Sequence, residues 1–390
     1  MTRGSRNVAV VGVALSDCGR VPDATPYTLH AQAARRALAD AGLPRRLIDG
    51  FASAGLGTLA PVEVADYLGL RPTWVDSTSV GGATWEVMAA HAADAIAAGH
   101  ANAVLLAYGS TARSDVKAGR RTGTLSFGGR GPTQFEVPYG HTLIAKYAMA
   151  ARRHMIEYGT TAEQLAQVAV QARANAALNP EAMFRDPLTV DDVLSGPVIA
   201  DPFTKLHCCL RSDGGAAVLL TAEEYVRDCR TPPVWILGTG EAVSHAAMSE
   251  WEDFTVSPAA ASGRLAFERA GVGPPEMDFA QLYDAFTYMT LVTLEDLGFC
   301  GKGEGGAYVT DARLTVTDGA LPVNTDGGGL SAQHPGMRGL FLLVEAVRQL
   351  RGEAGTRQVR ARDGGLPRLG VASGTGGWFC SSGTVVLGRN

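Results

Sequence analysis

Hydrophobic positions along this chain follow two periods. Val8 to Val13 is an unbroken run of β-branched and small residues, as expected for a strand buried on both faces. From about Thr28 to Ala41 the apolar positions Leu29, Ala33, Ala34 and Leu38 recur at helical spacing, predicting a helix with Thr28 as N-cap and Gly42 beyond its end. Asp49-Gly50-Phe51-Ala52 enters another short strand. Trp85 to Ala98 reads as a helix stopped by Gly99, and Ala103 to Ala107 as the strand after it. Strands alternating with helices at this spacing predict α/β architecture with mostly parallel pairing.

The pattern also repeats. Val75-Asp76-Ser77-Thr78 leads to Gly81-Gly82, a long helix and the strand Ala103–Ala107. Far downstream, Val323-Asn324-Thr325-Asp326 leads to Gly327-Gly328-Gly329, a long helix ending at Gly352 and the strand Leu369-Gly370-Val371-Ala372. Two copies of one α/β unit account for this order. They divide the chain into residues 1–231 and 232–390, with the boundary near Arg230 to Pro233. An interruption from about 111 to 203 carries its own predicted helices (Tyr139 to Tyr158 and Thr161 to Leu178) and the acidic segment Asp186 to Asp192. Long excursions of this kind usually cover a site.

Composition narrows the function classes. With 390 residues, 46% of them hydrophobic and 19% charged, the chain can bury a large core. The net charge of -5 argues against nucleic acid as a main partner. No apolar run reaches the ~20 residues of a membrane helix, and the N-terminal apolar run reads as a buried strand rather than a signal peptide. Six cysteines without a CxxC pair suggest reduced, mostly buried thiols in a cytoplasmic protein. His207-Cys208-Cys209 lacks the second pair a zinc site needs and reads as structural. The glycine clusters follow the repeat and contain no GxxxxGK[ST] phosphate loop. Glu295 and Asp296 beside Lys302 and Glu304 read as a solvated helix end, with a partner-facing surface as the alternative.

Several segments together resemble a family. Ala39-Asp-Ala-Gly42 with Ile48-Asp-Gly50, Ala177-Leu-Asn-Pro180, Asp186-Pro-Leu-Thr189, Cys209-Leu-Arg-Ser-Asp-Gly-Gly-Ala216, Tyr283-Asp-Ala-Phe286 and Gly328-Gly-Leu-Ser-Ala-Gln-His-Pro-Gly336 occur in the order and spacing of thiolases, most closely the sterol-carrier or lipid-transfer type. The resemblance spans nearly the whole chain. It implies a thiolase fold, two βαβ-rich halves in a five-layer αβαβα arrangement, and a homodimer. Thiolases carry a nucleophilic cysteine at the N-terminus of the first buried helix, where helix dipole and amides lower the thiol pKa. Counting back from Ile96 and Gly99, that position falls at Gly82, within Ser79-Val-Gly-Gly-Ala-Thr84. The second cysteine belongs in a Gly-rich turn, here Ser373-Gly-Thr-Gly-Gly377; Cys380 falls later, on the expected final strand. The histidine beside the thioester carbonyl persists as His334, with Pro335 expected at a helix start.

Loss of both cysteines with retention of the histidine resembles thiolase-like aldolases, and Tyr283 to Cys300 is similar to the corresponding stretch of that subgroup. Such members often work with a small zinc-ribbon/OB-fold protein. A retro-aldol step needs a base for the β-hydroxyl and donors for the thioester oxygen, but no covalent nucleophile. Tyr288 is the first candidate acid/base, given a neighbour that lowers its pKa. Tyr283, in place of the motif asparagine, points at the same site or closes a core hydrogen bond. His334 donates to the thioester oxygen or orients a tyrosine. Asp284 orients a partner or satisfies turn amides. Gly81, Gly82, Gly376 and Arg338 are the expected substrate-binding positions. Glycine at 82 leaves room for a branched β-carbon and frees an N–H. Arg338 stands where relatives carry tyrosine, and either lowers a tyrosine pKa, binds a substrate acid or marks a different activity. No cofactor is expected beyond coenzyme A in the substrate. Three readings stay open: an aldolase-type lyase on an acyl-CoA or carrier-linked thioester, a cysteine-independent acyltransferase or Claisen-type enzyme, and a non-catalytic thioester-binding subunit.

Overall fold

The computed structural model describes residues 6–119, 131–140 and 142–389; residues 120–130 and 141, within the expected interruption, lie outside the described residues. The first half comprises β1 (Val8–Leu15), α1 (Pro26–Ala41), β2 (Gly50–Ala52), α2 (Ala60–Leu68), β3 (Trp74–Asp76), α3 (Thr84–Ala97) and β4 (Ala103–Ser110). The interruption adds α4 (Ala112–Lys117), α5 (Leu143–Tyr158), α6 (Ala162–Ala177), α7 (Val190–Leu194) and the two-stranded β5 (Val198–Ala200) and β6 (Phe203–Thr204) before β7 (Gly214–Ala222). The second half runs through β8 (Val234–Val243), α8 (Ala259–Ala270), β9 (Phe279–Leu282), α9 (Thr287–Asp296), α10 (Gly305–Tyr308), α11 (Gly339–Arg351), β10 (Leu369–Gly376) and β11 (Ser381–Gly388). Residues 230–233 lie in the link between β7 and β8.

The strands line up as β3-β2-β4-β7-β1-β8-β11-β10-β9. Helix α1 covers β1, β4 and β7 on one outside, and α8 covers β8 and β11 on the other. Between them α3 and α11 touch strands of both halves. That is five layers, α/β/α/β/α. The middle helices carry few polar residues because both faces are covered, and Leu340 to Val347 of α11 is buried throughout. The repeat is geometric too. β2 lies parallel between β3 and β4, and β9 lies parallel between β10 and a bridge at Val323.

Some expectations are corrected. Strand pairing among the described residues is mostly antiparallel: β2–β3, β2–β4 and β9–β10 are parallel, while β4–β7, β7–β1, β1–β8, β8–β11 and β11–β10 are antiparallel. A strand buried on both faces reads as the same apolar run in either direction, and the four-residue turn between β10 and β11 forces a hairpin. Helix α1 is capped by Thr25, not Thr28. Pro26 sets the first helical residue, and Thr28 closes a capping box, with its backbone N–H on Thr25 Oγ1 at 3.1 Å and its hydroxyl accepting from the Thr25 N–H at 2.9 Å. Helix α5 begins at Leu143 rather than Tyr139, because Gly140 in the left-handed region (φ 81°) breaks the chain before the Thr142 cap. Among the described residues, no helix is long and apolar enough to cross a membrane.

Candidate active site

The first buried helix of the repeat starts where the glycines predict. Gly81–Ala83 forms a short turn running straight into α3, and the Val80 N–H donates to Thr84 Oγ1 at 3.0 Å. Gly82 therefore stands at the head of α3. The space above it is not open, however. A Cβ on Gly82 would come 2.5 Å from the Tyr283 ring and overlap the Thr375 carbonyl. The expectation that glycine makes room for substrate carbon is thus corrected: its missing side chain admits Tyr283. Gly81 (φ +78°) and Gly376 interlock similarly, since a Cβ on Gly81 would lie 2.8 Å from the Gly376 Cα and one on Gly376 would overlap the Val80 carbonyl. These glycines let two turns from opposite halves touch backbone to backbone.

Tyr283 follows the last residue of β9, anchored by its N–H on the Ser373 carbonyl at 3.0 Å. Its hydroxyl lies 3.2 Å from His334 Nε2, the rings meeting edge to face at 87°. Burial and the nearby Arg338 charge push the His334 imidazole down to about 4, so it is neutral. A neutral ring at this distance accepts the phenol proton on Nε2, an assignment from the network. The Arg338 backbone N–H donates to the same phenol oxygen at 3.3 Å. Burial raises Tyr283 well above its ordinary value, so the phenol is protonated.

The loop carrying His334 is held from three sides. The His334 N–H donates to Ser212 Oγ at 3.0 Å and its carbonyl accepts from the Ser212 N–H at 3.2 Å. Tyr108, at the end of β4, donates to the Pro335 carbonyl at 2.7 Å and accepts from the Met337 N–H at 3.2 Å. Pro335 lies in this loop, and α11 starts four residues later at Gly339, correcting the expected helix start. The insertion supplies the third support. In α6, Arg173 Nε donates to Ser331 Oγ at 2.9 Å, and just beyond it Asn179 donates to the Asp326 carbonyl at 2.9 Å. Sequence reasoning quoted Ser212 only within a motif and missed Tyr108 and Arg173; a chain read without its fold offers no signal that they converge here.

Arg338 is fully buried. Nη2 holds both Asp326 oxygens at 2.6 and 2.7 Å, and Nη1 donates to the Gln333 carbonyl at 2.8 Å. Nε is 3.6 Å from Asp284 Oδ1. A guanidinium spent this way is not free for a substrate acid, and Tyr283 meets the Arg338 backbone rather than its charge, so both expected roles are corrected. Asp284 accepts from the Gly329 and Leu330 N–H groups at 2.7 and 3.2 Å. It satisfies amides, as expected of a turn role, but those of the facing turn Gly328–Ala332. Burial pushes Asp284 up to about 7 against the pull of Arg338.

Tyr288 sits elsewhere in the core. Its hydroxyl donates to the Phe254 carbonyl at 3.2 Å, and its ring packs edge-on against His154 and Phe379. Burial, then Asp296 and Glu295, hold it well above its ordinary value. Instead of the neighbour expected to lower its pKa, Tyr288 faces carboxylates that raise it. Those carboxylates are buried, which corrects the solvated-face reading for Glu295 and Asp296, while Lys302 and Glu304 are exposed: Lys302 Nζ bridges Glu295 at 3.1 Å and Asp296 at 2.6 Å, and Glu295 meets His154 at 3.1 Å.

All six cysteines are free thiols. Cys380 closes the turn between β10 and β11 instead of lying on the final strand, because β10 extends through Gly376. Cys209 lies beside Tyr283 and Asp284, its N–H on the Ala285 carbonyl at 2.8 Å. Burial pushes Cys380 up to about 11 and Cys209 up to about 12. Neither is a thiolate at neutral pH. Among the described residues no group of three metal-ligating side chains converges, and His207 spends Nδ1 on Thr204.

Such a fold, with protonated thiols and a phenol–imidazole pair where a nucleophilic cysteine would stand, defines a cysteine-independent thiolase-fold protein. Residues 240–389 match the family described as thiolase C-terminal domain-like. The chain is 33% identical to the 17-hydroxy-3-oxo-4-pregnene-20-carboxyl-CoA lyase of Mycobacterium tuberculosis over 95% of this chain and 100% of that one. It is 35% identical to an acetyl-CoA acetyltransferase of Methanothermobacter thermautotrophicus, over 95% and 97%. An Ltp2-ChsH2(DUF35) aldolase structure superposes with a TM-score of 0.87 at 29% identity, covering 98% of each chain. The chain belongs to the thiolase superfamily.

Proposed function

We propose that this protein is a thiolase-fold aldolase, a carbon–carbon lyase that cleaves or forms the Cα–Cβ bond of a β-hydroxyacyl-CoA without an acyl-enzyme. The observation that carries this reading is the Tyr283 ring packed over Gly82 with its hydroxyl on neutral His334. In the cleavage direction the Tyr283 oxygen takes the β-hydroxyl proton while its own proton passes to His334 Nε2. The Cα–Cβ bond breaks as the β-carbon becomes a carbonyl, and its electron pair moves into the thioester as an enolate. The imidazolium, strongly acidic in this buried site, returns the proton through Tyr283 to Cα. The Arg338 N–H steadies charge on the phenol oxygen in transit. Asp284 and the glycine turns then act as the surrounding wall rather than as the proton relay, and Tyr288 packs elsewhere in the core.

The acetyltransferase relative favours acyl transfer as a second reading. Gly82 and the protonated thiols weigh against it. The DUF35 subunit of the similar aldolase supports a zinc-ribbon/OB-fold partner here as well. The exposed edge strand β3, with Val75 turned outward, suits a second copy of the chain as another partner.

The test is to incubate the chain, alone and with such a partner, with β-hydroxyacyl-CoAs and to follow products by mass spectrometry. A ketone or aldehyde plus a shorter acyl-CoA, with no mass added to the protein, is expected. Acyl mass on a cysteine would instead establish the transferase. Tyr283→Phe should lower kcat about 10²–10⁴-fold, the usual contribution of a positioned acid/base, whereas Tyr288→Phe should leave it within a few-fold.

A further inference from the structure

Glu86 lies in the middle layer on α3, four residues after Gly82. It is 1% exposed, and neither carboxyl oxygen has a hydrogen-bond partner among the described residues. A side chain at such a position in a purely structural helix is expected to be apolar. Instead, three surrounding elements each place a glycine against it. A Cβ on Gly339, the first residue of α11, would stand 2.5 Å from Oε2 and 2.9 Å from Oε1. One on Gly374 of β10 would overlap Oε2, and one on Gly383 of β11 would come 2.9 Å from the Glu86 Cβ. The packing around Glu86 is thus shaped to admit a carboxyl group.

The charged groups on the packed elements are committed to others. Just before α11, Arg338 is held by Asp326, and on α11 Glu345 is held by Arg357 and Thr325. Strands β10 and β11 carry no titratable side chain. With no cation facing it, burial raises Glu86 well above the usual carboxylate range and so favours the protonated carboxyl. Its O–H therefore requires an acceptor. The Gly82 carbonyl lies close by: a Cβ on Gly339 would stand 2.5 Å from Oε2 and 2.7 Å from the Gly82 oxygen. The two oxygens are no more than about 5 Å apart, within reach of one bridging water.

We infer that the Glu86 carboxyl, through one water held between it and the Gly82 carbonyl, is a positioning residue for the glycine turn on which Tyr283 packs. It touches no substrate. It fixes the Gly82 backbone, and through it the Tyr283 ring and the Tyr283–His334 hydrogen bond. This role rests on the proposed catalytic reading of that pair.

The test compares Glu86→Gln and Glu86→Leu in the full chain. Gln keeps the hydrogen-bonding shape, and Leu removes it while suiting the buried position. Three results are expected: an infrared carboxylic-acid C=O band in the wild type at pH 7 that is lost in Glu86→Gln; kcat within about threefold of wild type in Glu86→Gln; and kcat lowered about tenfold or more in Glu86→Leu with KM little changed and thermal stability retained. Wild-type kcat in Glu86→Leu, or no acid band at pH 7, would overturn the inference. Should the wild type give no turnover at all, the aldolase reading fails and amide exchange still decides the role of Glu86. Faster exchange across residues 82–86 in Glu86→Leu, restored in Glu86→Gln, supports it, and unchanged exchange in both sinks it.

Discussion

Gly82 illustrates how little a residue's identity says without its neighbours. Counting along the chain located the position, and chemistry explained the missing thiol. The use of the freed space was settled by Tyr283, 201 positions away in sequence, whose ring lies where a side chain would go. Gly82→Cys should therefore not restore a thiolase. The new side chain must displace the ring or the Thr375 carbonyl, at a cost of about 1–3 kcal/mol as for other overpacked cores. Thermal unfolding should show the loss, and mass spectrometry should find no acyl adduct. Arg338 gives the complementary case. Asp326→Ala removes both of the short Nη2 contacts and leaves the buried guanidinium only Asp284, 3.6 Å from Nε, so about 3–5 kcal/mol of stability should be lost. Arg338→Met combined with Asp326→Leu should recover most of it in urea titrations.

Among the elements, helices were legible and strand directions were not. Helix α6 has its period, its Thr161 cap and its Gln164 capping-box partner within a few residues of one another. What that helix does was invisible. Asn175 donates to the Leu314 and Val323 carbonyls at 3.1 and 2.9 Å and accepts from the Val316 N–H at 2.8 Å. Gln171 bonds the Val309 carbonyl and the Leu314 N–H. Through these amides the insertion pins the segment leading to Asp326, so it braces the site from beneath where the sequence suggested only a cover. Asn175→Leu strands the Val323 carbonyl and the Val316 N–H, leaves the Leu314 carbonyl only the Val323 N–H, and should cost about 2 kcal/mol or more. Limited proteolysis should then cut within residues 309–323 first.

Over the whole molecule, buried titratable groups set how stability follows pH. His30, His207 and His334 are each held down to about 4 by burial. The unfolded chain protonates them near 6.5, so it binds more protons than the native state between about pH 4 and 6.5, and stability rises with pH there. Asp284, pushed up to about 7, and Glu86, raised well above its usual range, do the opposite. The native state keeps their protons while the unfolded chain loses them near 4, so their contribution falls as pH rises. The two sets oppose each other. Removing the acids with Asp284→Asn and Glu86→Gln should unmask the histidines, and unfolding free energy should climb more steeply from pH 4.5 to 6.5 than in the wild type. An unchanged slope in urea titrations at those pH values would contradict the assigned protonation states.

Legible in the sequence were two α/β units in tandem, most of the helices, the Thr161 cap of α6, the glycine at the head of α3 and the family that these share. These are properties of short windows: a period, a cap, a glycine at the head of a helix. Tertiary structure alone decided which way the strands pair, which tyrosine meets His334, what neutralises Arg338 and that Glu86 faces three glycines. Each of those depends on residues from different elements, most of them far apart in the chain, and a window of sequence carries no information about what the closed chain brings to its side.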